Sequence, residues 1–178
     1  MRGTSVPAAP PRLGSLDGFN LASDGSAEAA LLACCASRRW AARIAAHRPY
    51  PDLDALLAAA DEASYDLSAA DLTEALADES SPGLHDSAPQ AAHTALAAAH
   101  AAYESSFGHA FVICLDAFSP AEHLNQVLSG IRLRMNNEPD EERSIAADEL
   151  RRLARARLTH LVANHPESDT PSPAHHVL

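Results

Sequence analysis

PDEERSIAADELRRLARARLTHLVA, residues 139–163, is the stretch that decides the fold. Proline has a fixed φ and no N–H to satisfy, so Pro139 suits the first turn of a helix. Glu138, Asp140, Glu141 and Glu142 crowd that end, and Arg151, Arg152, Arg155 and Arg157 crowd the other. Acids first and bases last complement the helix macrodipole, so most of these charges need no functional explanation. At about 100° per residue, Leu150, Leu153, Ala154, Leu158 and Leu161 fall on one apolar stripe. Arg151, Arg152 and Arg155 fall off it, roughly 100–200° from Leu150. Arg157 falls about 20° from Leu150, inside the stripe. A guanidinium among leucines must be paired or must face a ligand, because an unpaired buried charge is very costly. Two readings stand: an internal salt bridge, or an anion site for a carboxylate or similar polar group.

The same helical pattern runs outward from this segment. Ser119-Pro120 opens a helix to about Met135, and Asn136-Asn137 breaks it. Before it, residues 110–115 (AFVICL) form a short apolar run, and its valine and isoleucine favour a buried extended segment. Residues 90–106 read as an alanine-rich helix ending at Gly108, preceded by a Pro/Gly/Ser/Asp loop over 78–89. Residues 68–78 read as a helix capped by Ser68, and residues 52–63 as a helix starting at Asp52. Residues 26–47 read as one helix with Ser26 as its cap, stopped by Arg48-Pro49-Tyr50-Pro51. Residues 1–16 and 166–178 are Pro/Gly/Ser-rich or aperiodic and read as flexible tails. The domain is expected over 17–165.

Composition agrees with an all-α fold. The chain has 178 residues, enough for one domain with a real core. It holds 39 alanines, the best helix former, while aromatic residues at 4% are too few for a typical sandwich or barrel. The formal charge is −11, which gives no counterion-release drive toward nucleic acid or an anionic membrane. All 13 basic residues are arginine. The absence of lysine excludes Schiff-base chemistry and a Walker-type phosphate site. Cys34, Cys35 and Cys114 make neither a disulfide framework nor a metal knuckle, and read as small buried hydrophobes. The first residues lack the apolar region of a secretory signal, and no stretch approaches a membrane span. These features predict a cytoplasmic protein.

Five landmarks in order resemble the 2-oxo-4-hydroxy-4-carboxy-5-ureidoimidazoline (OHCU) decarboxylases. They are Trp40 followed by Arg48-Pro49-Tyr50; Tyr103-x-x-x-Phe107-Gly108-x-x-Phe111-Val112-Ile113-Cys114; Arg134-x-x-Asn137-x-Pro139-x-x-Glu142; Glu149-Leu150; and Arg157-Leu158. The resemblance spans about residues 19–163. It implies a single compact multi-helix domain and a cofactor-free, metal-free, usually dimeric enzyme of urate degradation. Such an enzyme removes CO₂ from a small-molecule substrate, OHCU, and gives (S)-allantoin. By the same resemblance Phe111, Val112, Ile113, Cys114 and Leu115 form the substrate-binding segment, through backbone groups. Arg157 is the family's arginine in the final helix, the residue that the helical wheel also marks.

The chain departs from the family at the acid–base group. The family has a histidine in a His-Pro-Arg-Ile-Gly or His-Pro-Asp-Leu type motif, where this chain has Asp78-Glu79-Ser80-Ser81-Pro82-Gly83. Its Glu-Gln pair survives only as Gln90, after Pro89. Decarboxylation leaves electrons on carbon, so the site must hold the carboxylate, stabilise developing charge and protonate the carbon. Arg157 is expected to serve the charge. His85 with Glu79 is expected to supply the proton, because a neighbouring carboxylate raises a histidine pKa. Two alternatives remain open: a family member acting on another small polar ring, and a non-catalytic binding protein on the same fold. The other histidines read as structural. His93 and His100 share a helix face without further metal ligands, His47 caps carbonyls at a helix end, and His109 lies at the pocket rim. There is no G-x-S-x-G nucleophile motif, and the apolar neighbours of Cys114 argue against a thiolate.

Overall fold

Small polar side chains set where the helices begin. In a computed structural model describing residues 13–163, Ser15, Ser23, Ser37, Asp52 and Ser68 each accept a backbone N–H three residues on. Each satisfies a donor that the first turn leaves free. The helices are α1 (Leu16–Leu21), α2 (Asp24–Cys34), α3 (Arg38–Ala46), α4 (Leu53–Tyr65), α5 (Ala69–Ala77), α6 (Gln90–Phe107), α7 (His123–Arg134) and α8 (Pro139–Val162). A 3₁₀ turn at Pro120–Glu122 leads into α7. No strand occurs among the described residues. The fold is all-α, as the alanine content and periodicity require.

Three boundaries differ from the sequence reading. Residues 26–47 are not one helix: the chain leaves α2 at Cys35 and re-enters at Arg38. The cause is Ser37, fully buried, whose hydroxyl accepts the Trp40 N–H and starts a new helix. The α2 cap is Ser23, and Ser26 is the residue whose N–H it receives. The packed domain also begins before residue 17, since Leu13 is buried and Ser15 caps α1. A six-residue helix shows too little periodicity to be read in advance. Residues 1–12 and 164–178 of the expected tails, with His175 and His176, lie outside the described residues.

The core falls into two clusters. In the first, α1 to α5 pack on α8 around Phe19, Leu31, Trp40, Ile44, Leu56, Leu150 and Leu158. Each such side chain, once buried, contributes about 1.5–3 kcal/mol. The Trp40 indole N–H reaches Ala60 O at 3.2 Å and Ser64 Oγ at 3.1 Å, so its polar edge is satisfied. Cys34 and Cys35 are buried here as expected, and desolvation pushes both thiols up to about 11. The second cluster joins α6, α7 and the apolar run through Leu96, Tyr103, Phe111, Val127 and Ile131. Helix α8 meets both, burying Glu142, Ala146, Leu150, Ala154, Leu158 and Val162 at four-residue spacing.

Candidate functional site

Residues 110–115 lie outside any helix or strand, and side chains from three directions fix their backbone. The Phe111 N–H donates to Ser81 Oγ at 3.2 Å. The Val112 carbonyl accepts from Arg134 Nη1 at 2.7 Å, and the Cys114 N–H donates to Glu149 Oε2 at 2.8 Å. Phe111 and Val112 are buried, whereas Ile113, Cys114 and Leu115 are half-buried. The N–H groups of Val112, Ile113 and Leu115 have no protein partner among the described residues. With the Ala110 N–H, also without a protein partner among the described residues, these amides are the segment's remaining donors.

The landmark residues of α6, α7 and α8 hold this segment. Arg134 donates through Nε to Glu142 Oε1 at 2.7 Å, and its guanidinium lies 4.3 Å from the Phe111 ring centroid. Tyr103 donates its hydroxyl to the same carboxylate oxygen, and Asn137 Nδ2 donates to Glu142 Oε2 at 3.0 Å. Glu142 is fully buried, yet three side chains serve it through three hydrogen bonds, and Arg134 Nη2 adds an ion-pair contact at 2.6 Å. Burial is the larger cause, with the Glu142 bond next, that pushes the Tyr103 phenol well above its ordinary range.

Arg157 is paired within the protein. Its Nη1 and Nη2 donate to Glu79 Oε1 and Oε2 at 2.7 and 3.0 Å, and Nη1 also reaches the Cys34 carbonyl at 3.1 Å. These bonds to Glu79 push the guanidinium above its ordinary value, against the opposing effect of burial. Of the two readings of the wheel position, the internal salt bridge is the one the structure shows. Nor is Arg157 deep among the leucines: its side chain is 37% exposed, against 8% for Glu79. The long stem carries the charge to the edge of the stripe.

Glu79 stands between two openings. On one side a cleft of about 330 Å³ is walled by Leu32, Ala33, Ala36, Asp78, Ser80 and Arg157. On the other, a cleft of about 450 Å³ is walled by Leu76, Ala77, Glu104, Gly108, His109 and Ala110. Glu79 lines both.

The expected Glu79–His85 pair does not form. His85 is exposed on its loop, with Nδ1 bonded to Ser87 Oγ at 2.8 Å, while both oxygens of Glu79 are held by Arg157. Turn bonds within 85–88 keep the loop folded on itself. Gln90 is exposed at the start of α6 and lines neither cleft. The structure thus brings Arg157 and Glu79 together and leaves His85 and Gln90 apart. His47 does cap, with Nδ1 2.7 Å from the Arg43 carbonyl. Sequence reasoning missed Ser81 and Glu149, whose contacts lie 30 and 35 residues away in the chain. It quoted Glu149 as a landmark, which was the available signal.

Comparison with known proteins follows the same line. A family model described as OHCU decarboxylase matches residues 20–92 and 77–159. No curated protein matches. A crystal structure of an OHCU decarboxylase in the presence of (S)-allantoin is similar at TM-score 0.64 and 22% identity, over 79% of this chain and 99% of that one. A crystal structure of an (S)-allantoin synthase is similar at TM-score 0.63 and 18% identity, over 83% of this chain and 54% of that one. The chain thus spans about half the length of the synthase.

Proposed function

The chain belongs to the OHCU decarboxylase family, and on that basis we propose that it removes CO₂ from OHCU, giving (S)-allantoin in purine catabolism, at the cleft where Glu79 meets Arg157. The observation that carries this reading is the two-point Glu79–Arg157 clamp at the mouth of a cleft. A guanidinium holding one carboxylate in that geometry can exchange it for another of the same shape. A substrate carboxylate that takes these donors leaves Glu79 beside it, and two carboxylates sharing one arginine retain a proton between them. The family resemblance assigns ring oxygens and nitrogens to the free amides of Val112, Ile113 and Leu115, and none of these three residues lines either cleft beside Glu79. The reaction needs no cofactor, because the adjacent C=N group of the substrate accepts the electron pair. We read the protein as a cytoplasmic enzyme with a small-molecule substrate and the homodimeric assembly that its family implies.

The test is direct. Purified protein added to freshly generated OHCU should speed its decay by absorbance and yield one allantoin enantiomer by circular dichroism. Arg157→Ala should abolish the acceleration. Decay no faster than the spontaneous rate overturns the proposal and favours the second reading, a non-catalytic protein on the same fold. The closure of Arg157 onto an internal carboxylate is what supports that alternative.

A further inference from the structure

Arg157 must release Glu79 before it can take a second carboxylate. The chain on either side of Glu79 is fastened. On the N-terminal side the Glu79 N–H donates to the Leu76 carbonyl at 3.2 Å, and the Asp78 N–H to the Ala75 carbonyl at 3.3 Å. Beyond Glu79 the chain has left α5, and residues 80–82 belong to no helix or strand. Side chains hold them instead. Ser81 Oγ donates to Glu104 Oε1 on α6 at 3.1 Å and accepts the Phe111 N–H at 3.2 Å. His100 Nε2 lies 2.8 Å from the Pro82 carbonyl, an acceptor only, so the ring donates there. From these contacts we propose that Ser81 is a positioning residue: its hydroxyl keeps Glu79 on Arg157, so that the resting site inhibits itself. This rests on the decarboxylase reading and adds what regulates the same site.

The Glu79 side chain is only 8% exposed, and the space open to it away from Arg157 is the second cleft. The wall of that cleft carries Glu104. Two carboxylates brought together disfavour each other's charge. Ser81 is bonded to that same Glu104, so one hydroxyl fixes both the backbone beside Glu79 and the charge that opposes its retreat. A ligand carboxylate binds only those molecules in which Arg157 is released, and its apparent affinity falls by that fraction. Loss of the Ser81 hydroxyl raises the fraction, so KM falls. It also loosens the placement of Glu79, the group that shares the proton, so kcat falls with it. Plain damage to the site raises KM instead.

Phenylglyoxal, which condenses with unpaired guanidinium groups, reads the opening without any turnover. Modification of Arg157, followed by peptide mass, should run about fivefold faster in Ser81→Ala than in wild type, and fastest in Glu79→Gln. Arg38, with its side chain 84% exposed, should react at one rate in all three, which sets unfolding aside. On freshly generated OHCU, Ser81→Ala should lower KM and kcat by about fivefold each. Ser81→Thr, which keeps the hydroxyl, should restore both. If Ser81→Ala leaves Arg157 at the wild-type rate while Glu79→Gln speeds it, Glu79 swings free of the loop and the role of Ser81 is overturned. Wild-type Arg157 reacting as fast as in Glu79→Gln overturns the closed resting site. A raised KM in Ser81→Ala overturns the assignment as well. Should wild type fail to speed OHCU decay, the decarboxylase reading falls, and the phenylglyoxal rates still decide whether Ser81 holds the clamp.

Discussion

Glu142 is fully buried and ionisable, a costly placement that three hydrogen bonds from three side chains and the Arg134 ion pair offset. Removing it strands Arg134 above the Phe111 ring. Glu142→Ala should therefore cost about 3–5 kcal/mol in urea unfolding. Arg157→Ala strands a carboxylate that is better connected to solvent through two clefts, so about 1–3 kcal/mol is expected. A double-mutant cycle with Glu79→Ala should return a coupling of the same sign, and a zero coupling would show the clamp to be energetically idle. At this level the sequence was half readable. The helical wheel singled out Arg157, because the period of α8 is a local property. It could not name Glu79 as the companion, since the two are 78 residues apart and meet only through packing. His85 was chosen for nearness in sequence to Glu79, and the self-bonded turn at 85–88 directs it elsewhere.

The elements were more legible than their contacts. Caps at Ser68 and Asp52, the Pro139 start and the Gly108 stop all follow from backbone chemistry within a few residues. Gly108 is a clean test of that chemistry, because a methyl group there meets nothing within 4 Å. Gly108→Ala should cost about 1 kcal/mol from left-handed strain alone, read as a lower thermal midpoint. The split between α2 and α3 was not legible, because Ser37 acts as a cap only once Trp40 has a core to enter. The binding segment shows the same limit. Its apolar run was visible, but not the Glu149 carboxylate that accepts its Cys114 amide. Glu149→Ala should raise hydrogen exchange at Cys114 and its neighbours while lowering global stability by only about 1 kcal/mol. Unchanged exchange there would show that packing, not this bond, fixes the segment.

Across the whole molecule, two buried thiols set an alkaline limit on stability. Cys34 and Cys35 sit in the first cluster with thiols raised from 9.0 to about 11. Below pH 9 both folded and unfolded chains keep these protons. Between about 9 and 11 the unfolded chain releases them while the folded chain holds them, so stability falls as pH rises. The loss approaches roughly 3 kcal/mol per thiol at the upper end. The urea midpoint should drop over that interval, and a Cys34→Ala, Cys35→Ala double variant should drop less steeply. The fold class was readable at this scale from alanine content and periodicity, whereas the division into two clusters was not, because it depends on which helix faces meet.

That division has a practical consequence for spectroscopy. The lone tryptophan, Trp40, is lodged between α3 and α4 with its indole N–H tied to Ala60 and Ser64. Its emission reports the environment of one half of the protein. Loosening around Tyr103 and Phe111 would leave that light nearly unchanged, so a fluorescence melt alone records the survival of the scaffold and is blind to the half that carries the binding segment.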